Sequence, residues 1–169
     1  MRRYDISRII RRKVRRLSRW EISGLLYVKV FDPDGGLIED KGLVSDRVIT
    51  DDFAKYYIDC LQGTETGIAD FKYHDSGTGL TAEDETDDKL VIPTGIARVV
   101  GTQIEGANAK TYRTVGLITY DGVYDIGEWG LFNAASAGIM MDRAVITPIT
   151  TANNYKIQFT YDHVAVSGG

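Results

Sequence analysis

The stretch Tyr155-Lys-Ile-Gln-Phe-Thr-Tyr161 alternates apolar and polar side chains without a break. One parity holds only apolar or aromatic residues, namely Tyr155, Ile157, Phe159 and Tyr161. Because successive side chains of a strand point to opposite faces, this pattern predicts a strand that is buried on one face and wet on the other. A half-buried strand of this kind is typical of an antiparallel sheet.

Other segments of similar length extend this pattern over the chain. The predicted strands cover residues 25–31, 37–41, 68–74, 95–105, 110–121, 139–149 and 155–164, and turn-rich stretches at 32–36, 106–109, 122–130 and 150–154 separate several of them. The chain has 169 residues with 18 glycines and only three prolines. Strands without intervening helices predict a mainly β protein, an antiparallel β-sandwich or jelly-roll-like fold.

One short internal helix is predicted at about residues 50–62. Thr50 is a good N-cap, two aspartates follow it in the first turn, and Gly63 suits a left-handed C-cap. The expected apolar face consists of Phe53, Tyr57 and Leu61, with Tyr56 and Cys60 beside them. We expect the helix to close one end of the sandwich and Cys60 to act as a small buried hydrophobic residue.

The N-terminus differs from the rest in charge. Residues 1–20 carry nine basic and one acidic side chain, a net charge of +8, whereas the remainder carries 11 basic and 23 acidic side chains, a net charge of −12. We therefore divide the chain into a basic arm, residues 1–22, and one domain, residues 23–169. Opposite signs favour docking of the arm onto an acidic surface, including that of a neighbouring copy.

The arm also has an apolar stripe at helical spacing, formed by Ile6, Ile9, Ile10, Val14, Leu17 and Trp20. The pattern predicts an amphipathic helix, whose partner-binding residues would be Arg8, Arg11, Arg12, Lys13, Arg15, Arg16 and Arg19. Three interpretations stay open: packing on the arm's own domain, insertion into a partner protein, or contact with nucleic acid or an anionic membrane. Nucleic acid and membrane are the less favoured partners.

An acidic loop follows the glycines at Asp75-Ser-Gly-Thr-Gly79. Its acidic side chains are Glu83, Asp84, Glu85, Asp87 and Asp88. We expect a flexible, solvated surface loop, and the alternative is that it accepts the basic arm of a neighbouring subunit. The glycines themselves are a weak phosphate-binding signal, because neither a Walker lysine nor a helix signal follows them.

The residues that catalysis or metal binding would need are scattered. The two histidines, His74 and His163, are isolated, and the carboxylates of the acidic loop lack an environment that would separate their pKa values. The turn at 32–36 lacks the closing glutamate of a calcium loop. We therefore expect no enzyme, no cofactor and no metal. We also expect neither a secretory signal nor a membrane-spanning segment.

Two blocks resemble a family of tailed-bacteriophage virion proteins. They are Lys72-Tyr-His-Asp-Ser-Gly-Thr-Gly79 and Ile126-Gly-Glu-Trp-Gly-Leu-Phe-Asn-Ala-Ala-Ser-Ala-Gly-Ile-Met-Met-Asp-Arg143. Two further pieces, at 42–63 and 97–106, and the closing strand at 155–161 complete the resemblance, which starts at about Gly42. The resemblance implies a head-decoration, collar or tail component without catalytic residues.

These observations together predict a non-enzymatic virion structural protein, assembled in the host cytoplasm. We expect a capsid decoration or cement protein that binds major capsid protein, with a collar, baseplate or tail adaptor as the alternative. A carbohydrate-binding module is the second alternative, because jelly rolls with exposed tyrosine or tryptophan often bind sugars. A homo-oligomer, guessed as a trimer, fits the symmetry of a virion.

Overall fold

A computed structural model describes residues 20–46 and 49–167 of the chain. The elements are β1 (Trp20–Phe31), β2 (Leu37–Ser45), α1 (Asp51–Gln62), a 3₁₀ turn (Ile68–Asp70), β3 (Tyr73–Gly77), β4 (Val99–Val100), β5 (Thr102–Glu105), β6 (Thr111–Thr119), β7 (Asp125–Phe132), β8 (Met140–Thr150) and β9 (Lys156–Ser167). The prediction of a mainly β protein is confirmed. No helix in this part of the chain is long and apolar enough to cross a membrane.

The strands form two antiparallel sheets. Sheet A has the order β2-β1-β9-β6-β5, and sheet B has the order β4-β3-β7-β8. Trp129 of β7 lies against Phe159 and Tyr161 of β9, with ring centroids 6.3 and 5.3 Å apart. One apolar cluster contains residues of both sheets. This face-to-face packing is consistent with the predicted β-sandwich.

The alternation that predicted β9 is present in the structure. Ile157, Phe159 and Tyr161 are buried in the core, while the intervening side chains are half-buried or paired. Asp162 is the exception on the outer face, because it is buried and accepts two hydrogen bonds of 2.6 Å from Arg113. A bidentate arginine–carboxylate pair satisfies such a buried charge.

Helix α1 follows the capping signals closely. The Thr50 side chain accepts a hydrogen bond from the Phe53 N–H, and Gly63 adopts the left-handed conformation at the C-cap. The helix connects β2 to β3 and closes one end of the two-sheet body, where Phe53 packs edge-on against Phe71 at 5.0 Å. Leu61 was expected on the buried face, but it is 68% exposed, so that part of the prediction is wrong.

The main error in the strand prediction concerns residues 122–130, which were interpreted as a turn-rich separator. The structure places β7 there, between β3 and β8 in the middle of sheet B. The register shifts at Gly127, so Ile126 and Trp129 both face the core although they are three residues apart. Such a bulge breaks the two-residue period on which the prediction depended.

Two other predicted strands are shorter or displaced. Residues 68–74 begin with a 3₁₀ turn, and β3 runs on through Gly77, into the glycine-containing stretch at 75–79. The predicted strand at 95–105 is divided into β4 in sheet B and β5 in sheet A. Gly101 lies at this crossing, where an added Cβ would come within 2.3 Å of the Thr114 hydroxyl.

The predicted arm lies almost entirely outside the described residues. Strand β1 begins at Trp20, which is before the predicted arm boundary at residue 22, and Trp20 pairs with Ser167 of β9. The arm helix and its stripe from Ile6 to Leu17 fall on residues 1–19, which the structure does not describe.

Candidate functional site

The two blocks singled out in the sequence meet on the outer face of sheet B. Glu128 of β7 and Arg143 of β8 lie diagonally across the strand pair, because Gly130 is the direct partner of Arg143. Glu128 Oε2 accepts hydrogen bonds from Arg143 Nε at 2.9 Å and Nη2 at 2.8 Å. Both side chains are at most 1% exposed. We call this ion pair and its partners the Glu128 junction.

The loop from 78 to 95 closes over the junction through its backbone. Glu128 Oε1 accepts from the N–H groups of Gly79 at 3.2 Å and Ile92 at 2.7 Å, and Oε2 accepts from Val91 at 3.0 Å. Five donors therefore surround one carboxylate in a water-poor position. Hydrogen bonds of this kind compensate the cost of burying its charge.

Arg143 connects the junction to the acidic loop. Its Nη1 donates to Asp87 Oδ2 at 2.9 Å, and its Nη2 donates to the Thr81 carbonyl at 3.0 Å. Burial lowers the pKa of the Arg143 guanidinium, but the hydrogen bonds to Asp87 and Glu128 outweigh burial, and its pKa is raised. The guanidinium therefore stays charged and holds the loop against sheet B.

The glycines of the 75–79 stretch have a packing role at this junction. A Cβ added to Gly77 or Gly79 would lie 2.5 Å from Glu128 Oε1. Real Cβ atoms do not approach an oxygen so closely, so these positions leave space for the carboxylate. The weak phosphate signal of the sequence is thus explained by an internal anion, the Glu128 side chain.

His74 occupies the inner face of the same sheet. The indole Nε1–H of Trp129 donates to His74 Nδ1 at 3.2 Å, which leaves the proton of the neutral ring on Nε2, 3.1 Å from the Thr114 hydroxyl. Burial lowers the pKa of His74 to about 3. His74 is therefore a neutral link between the two sheets at ordinary pH.

Arg98 fixes the loop that joins β7 to β8. Its Nε donates to Asp75 Oδ2 at 3.0 Å, its guanidinium lies 3.4 Å from the centre of the Phe132 ring, and its Nη1 binds the carbonyls of Ala134 and Ala137. This side chain therefore joins the first block to the second at another point. The cation–π contact and the charged hydrogen bonds both favour a fixed loop.

Asp142 is a buried carboxylate with little hydrogen bonding. It points into the core, is 1% exposed, and its Oδ2 has no hydrogen-bond partner among the described residues. The hydroxyl of Tyr161 is its polar neighbour and interacts with it, but the two groups are not aligned as a regular hydrogen bond. A Cβ added to Gly24 would come within 2.0 Å of the Asp142 oxygen. Burial raises the pKa of Asp142 well above its usual range.

A cavity lies under α1 at the end of the body that the helix closes. Its volume is about 290 Å³, and its walls are mainly aromatic. The side chains that define it are Phe53, Tyr57, Phe71, Tyr112, Met141 and His163. Burial lowers the pKa of His163 to about 4, and its Nδ1 atom has no partner in the described structure. We call this feature the end cavity.

The five acidic residues of the predicted acceptor loop are not equivalent. Asp84, Glu85 and Asp88 are exposed, and Glu83 is half-buried. Asp84 Oδ1 accepts from the Thr86 N–H and hydroxyl, and Asp88 lies 4.0 Å from Lys89 Nζ. Asp87 is held by Arg143, and the Glu85 carbonyl accepts from the Asp51 N–H, which ties the loop to α1. The loop lies on the surface, as expected, with most of its side chains exposed, and these contacts attach it to sheet B and α1. The basic residues predicted to meet it, Arg8 to Arg19, lie outside the described residues.

Sequence reasoning missed the Glu128 junction and the end cavity. A glutamate flanked by glycines within an otherwise apolar block, Ile126-Gly-Glu-Trp-Gly, was the available signal for a buried carboxylate that needs space. In the described residues no three His, Cys, Asp or Glu side chains are grouped to hold a metal ion. The cavity had no signal, because its walls come from six separate segments.

Comparison with models of known families, with curated proteins and with solved structures gave no match for this chain.

Proposed function

We propose that this protein is a non-enzymatic structural component of a tailed-bacteriophage virion, and specifically a capsid decoration protein that contacts major capsid protein. In this proposal the two-sheet body is a rigid scaffold and the basic arm supplies repeated contacts. Many modest contacts under virion symmetry stabilise a particle through avidity. The site of action is the virion, which is assembled in the host cytoplasm.

The proposal is supported by the contacts that residues of the two blocks make within the fold. Glu128, Arg143 and Gly79 bind or accommodate one another, and His74 joins Trp129 to the opposite sheet. The polar atoms of the junction are occupied by internal partners, so they build a framework instead of facing a substrate cleft. A family whose shared residues define a body shape is expected to act through its surfaces.

Finer features of the fold also belong to the proposal. We assign the two sheets to a jelly-roll-like sandwich, and we assign residues 1–19 to an amphipathic basic helix that precedes β1. The supporting observations are the repeated passage of the chain between the sheets and the helical spacing of Ile6 to Leu17.

The collar, baseplate or tail adaptor uses the same body and arm and differs only in its place on the particle. The carbohydrate-binding alternative is less well supported, because a sugar platform needs an accessible aromatic ring. Trp129 is fully buried, and no tyrosine, phenylalanine or tryptophan side chain for which burial is described is exposed. We therefore keep the decoration protein as the proposed function.

The proposal is tested by particle incorporation. Full-length protein and a variant lacking residues 1–19, in which β1 is retained, are supplied to assembling phage, and each is quantified in purified particles by mass spectrometry. We expect the full-length protein in particles and the truncated variant to be absent despite a native circular dichroism spectrum. Equal incorporation of both forms would contradict the role of the arm, and absence of both from particles would contradict the virion assignment.

A further inference from the structure

The end cavity is an apolar site between α1 and the ends of several strands. Its aromatic walls come from α1, the segment after it and β6, while Met141 and His163 close the floor. Gln103 and Tyr112 bond to each other and to the carbonyls of Ala69 and Phe71, so the polar groups at its rim are already satisfied. An apolar side chain entering this cavity would displace water from aromatic surface at little polar cost.

The arm leaves the body at the same end. Gly24 of β1 is the direct partner of His163, which lines the cavity, and Trp20, the first described residue, is only four positions before Gly24. At about 3.3 Å per residue the arm therefore starts roughly 13 Å along the strand from the cavity row. Nineteen residues of chain precede this point, and they carry the apolar stripe at helical spacing from Ile6 to Leu17.

The charges around the cavity are complementary to those of the arm. Residues 51–72, which form one wall, contain five acidic and two basic side chains, and both lysines already pair with aspartates. Residues 1–20 have a net charge of +8. A helix with an apolar stripe and flanking arginines would thus place its stripe over the cavity and its arginines beside carboxylates such as Asp51 and Asp52, which no lysine of this wall neutralises.

The covalent connection favours the arm of another copy over the chain's own arm. No glycine or proline occurs between Met1 and Ser23, so the sequence offers no strong signal for a reversal between the arm helix and β1. In the proposed arrangement, exchange between copies lets the arm reach the equivalent cavity of a neighbour without such a reversal. Such exchange produces the closed symmetric assemblies common among oligomers.

We propose that the end cavity is the receptor for the amphipathic arm of a neighbouring copy, with Leu17 or Val14 inserted between α1 and the Ile68–Asp70 turn. This inference rests on the proposed function, since it names the partner of the arm, but it concerns the purified protein alone. The contact is a stripe of apolar side chains in an aromatic cavity, surrounded by arginine–carboxylate pairs. In this proposal, the partner of the arm is another copy of the same chain.

Disulfide trapping tests the contact directly in the full-length chain. In a Cys60→Ser background, Leu17→Cys is combined with Ala69→Cys, because Ala69 is an exposed residue of the cavity wall. The matched control combines Leu17→Cys with Val123→Cys, which is 75% exposed and lies in the turn before β7, at the opposite end of the body. After mild oxidation, non-reducing electrophoresis separates linked chains from single chains.

We expect the Ala69 pair to form chain-to-chain disulfides at least ten times faster than the Val123 pair. A disulfide within single chains would overturn the exchange, and equal rates for the two pairs would overturn the site.

A second measurement does not depend on the added cysteines. Leu17→Asp should abolish self-association in light scattering, whereas the adjacent Ser18→Asp, which lies off the stripe, should not. If both variants still self-associate, the proposal is also overturned. A positive result with no incorporation into particles would retain this contact and reject the proposed function.

Discussion

At the residue scale, two buried carboxylates on adjoining strands have opposite surroundings. Glu128 accepts five hydrogen bonds, two of them from Arg143, whereas Asp142 Oδ2 has no hydrogen-bond partner in the described part of the chain. Removing one member of a buried ion pair costs about 3–5 kcal/mol, because the other charge remains buried. An unpartnered buried carboxyl instead destabilises the protein wherever it has to ionise.

The matched substitutions Glu128→Gln and Asp142→Asn should therefore differ in their effect on stability. We expect Glu128→Gln to lower the free energy of unfolding by about 3–5 kcal/mol at pH 8, and Asp142→Asn to leave it unchanged or raise it. Urea unfolding followed by tryptophan fluorescence measures both. Equal losses for the two variants would refute the distinction between the two sites.

Gly79 allows a more local test of the junction. Gly79→Ala adds a Cβ at 2.5 Å from Glu128 Oε1, so the carboxylate or the loop has to move. We expect a loss of about 1–3 kcal/mol, the usual cost of overpacking. The control is Gly35→Ser in the β1–β2 turn, where an added Cβ meets no atom but the positive φ of 89° gives its own strain. A loss that is relieved by combining Gly79→Ala with Glu128→Ala would identify the carboxylate as the cause.

The two histidines give the protein a defined response to acid. The folded-state pKa values are about 3 for His74 and about 4 for His163, and both lie below the unfolded value of 6.5. The unfolded chain therefore binds more protons below about pH 6.5, and the free energy of unfolding falls as the pH is lowered towards 4 and then 3. Each histidine contributes up to about 1.4 kcal/mol per pH unit within its window.

The pH dependence of the free energy of unfolding is tested by urea unfolding at pH 7.0 and at pH 5.5, in which a variant is compared with the wild type. His163→Gln should lose less stability than the wild type on acidification, by about 1 kcal/mol. Asp142, whose pKa is raised, contributes the opposite slope in both proteins and cancels from the comparison. An identical pH dependence in the variant and the wild type would contradict a neutral buried His163.

At the scale of elements, the outcome of sequence prediction depended on how local each signal was. Helix α1 was predicted within one residue because its caps, Thr50 and Gly63, act over three or four positions. Strand β7 was missed because Gly127 and Gly130 resemble turn residues, although their small size serves a bulge and close packing against Leu80 and Leu90. Strand partners and the ion pair between Glu128 and Arg143 depend on register over 15 positions, which no local pattern specifies.

At this scale, we predict the effect on stability of removing the N-cap side chain of α1. Besides accepting from the Phe53 N–H at 3.2 Å, the Thr50 hydroxyl donates to the Met140 carbonyl at 2.5 Å and so ties the helix to β8. Thr50→Ala should cost about 1–2 kcal/mol, at the upper end of N-cap effects. Thr81→Ala, an exposed side chain in the acidic loop, is the control with little expected change. Thermal unfolding measures both, and a neutral Thr50→Ala would show that the cap does not stabilise the helix.

At the scale of the whole molecule, charge is divided between the arm and the body. The values of +8 and −12 predict that contacts made by the arm weaken with salt, because ions screen exposed charges beyond about 10 Å at 0.1 M. We expect self-association measured by light scattering to weaken at least tenfold between 0.05 and 0.5 M NaCl. Replacement of Arg11, Arg12, Arg15 and Arg16 by glutamine should remove most of that salt dependence. Association that is insensitive to salt in the wild type would assign the contact to apolar surface alone.

The same division of charge separates the body from the proposed binding element. The body pairs the buried carboxylates of Glu128, Asp75 and Asp162 with its own arginines. Residues 1–20 carry an apolar stripe and nine basic side chains, to which we assign the contacts with other molecules. A protein built in this way supplies a fixed shape and a separate binding element. The account therefore depends on whether the chain is part of a particle and on where its copies lie.

Cryo-electron microscopy of purified phage particles tests that claim most directly. We predict density for the two-sheet body repeated across the head lattice, with the basic arm extended from the Trp20 end into a neighbouring copy or the capsid. A single ring of copies at the neck or tail would contradict the decoration assignment and favour the adaptor. Particles that contain no copy of the chain would contradict the virion assignment itself.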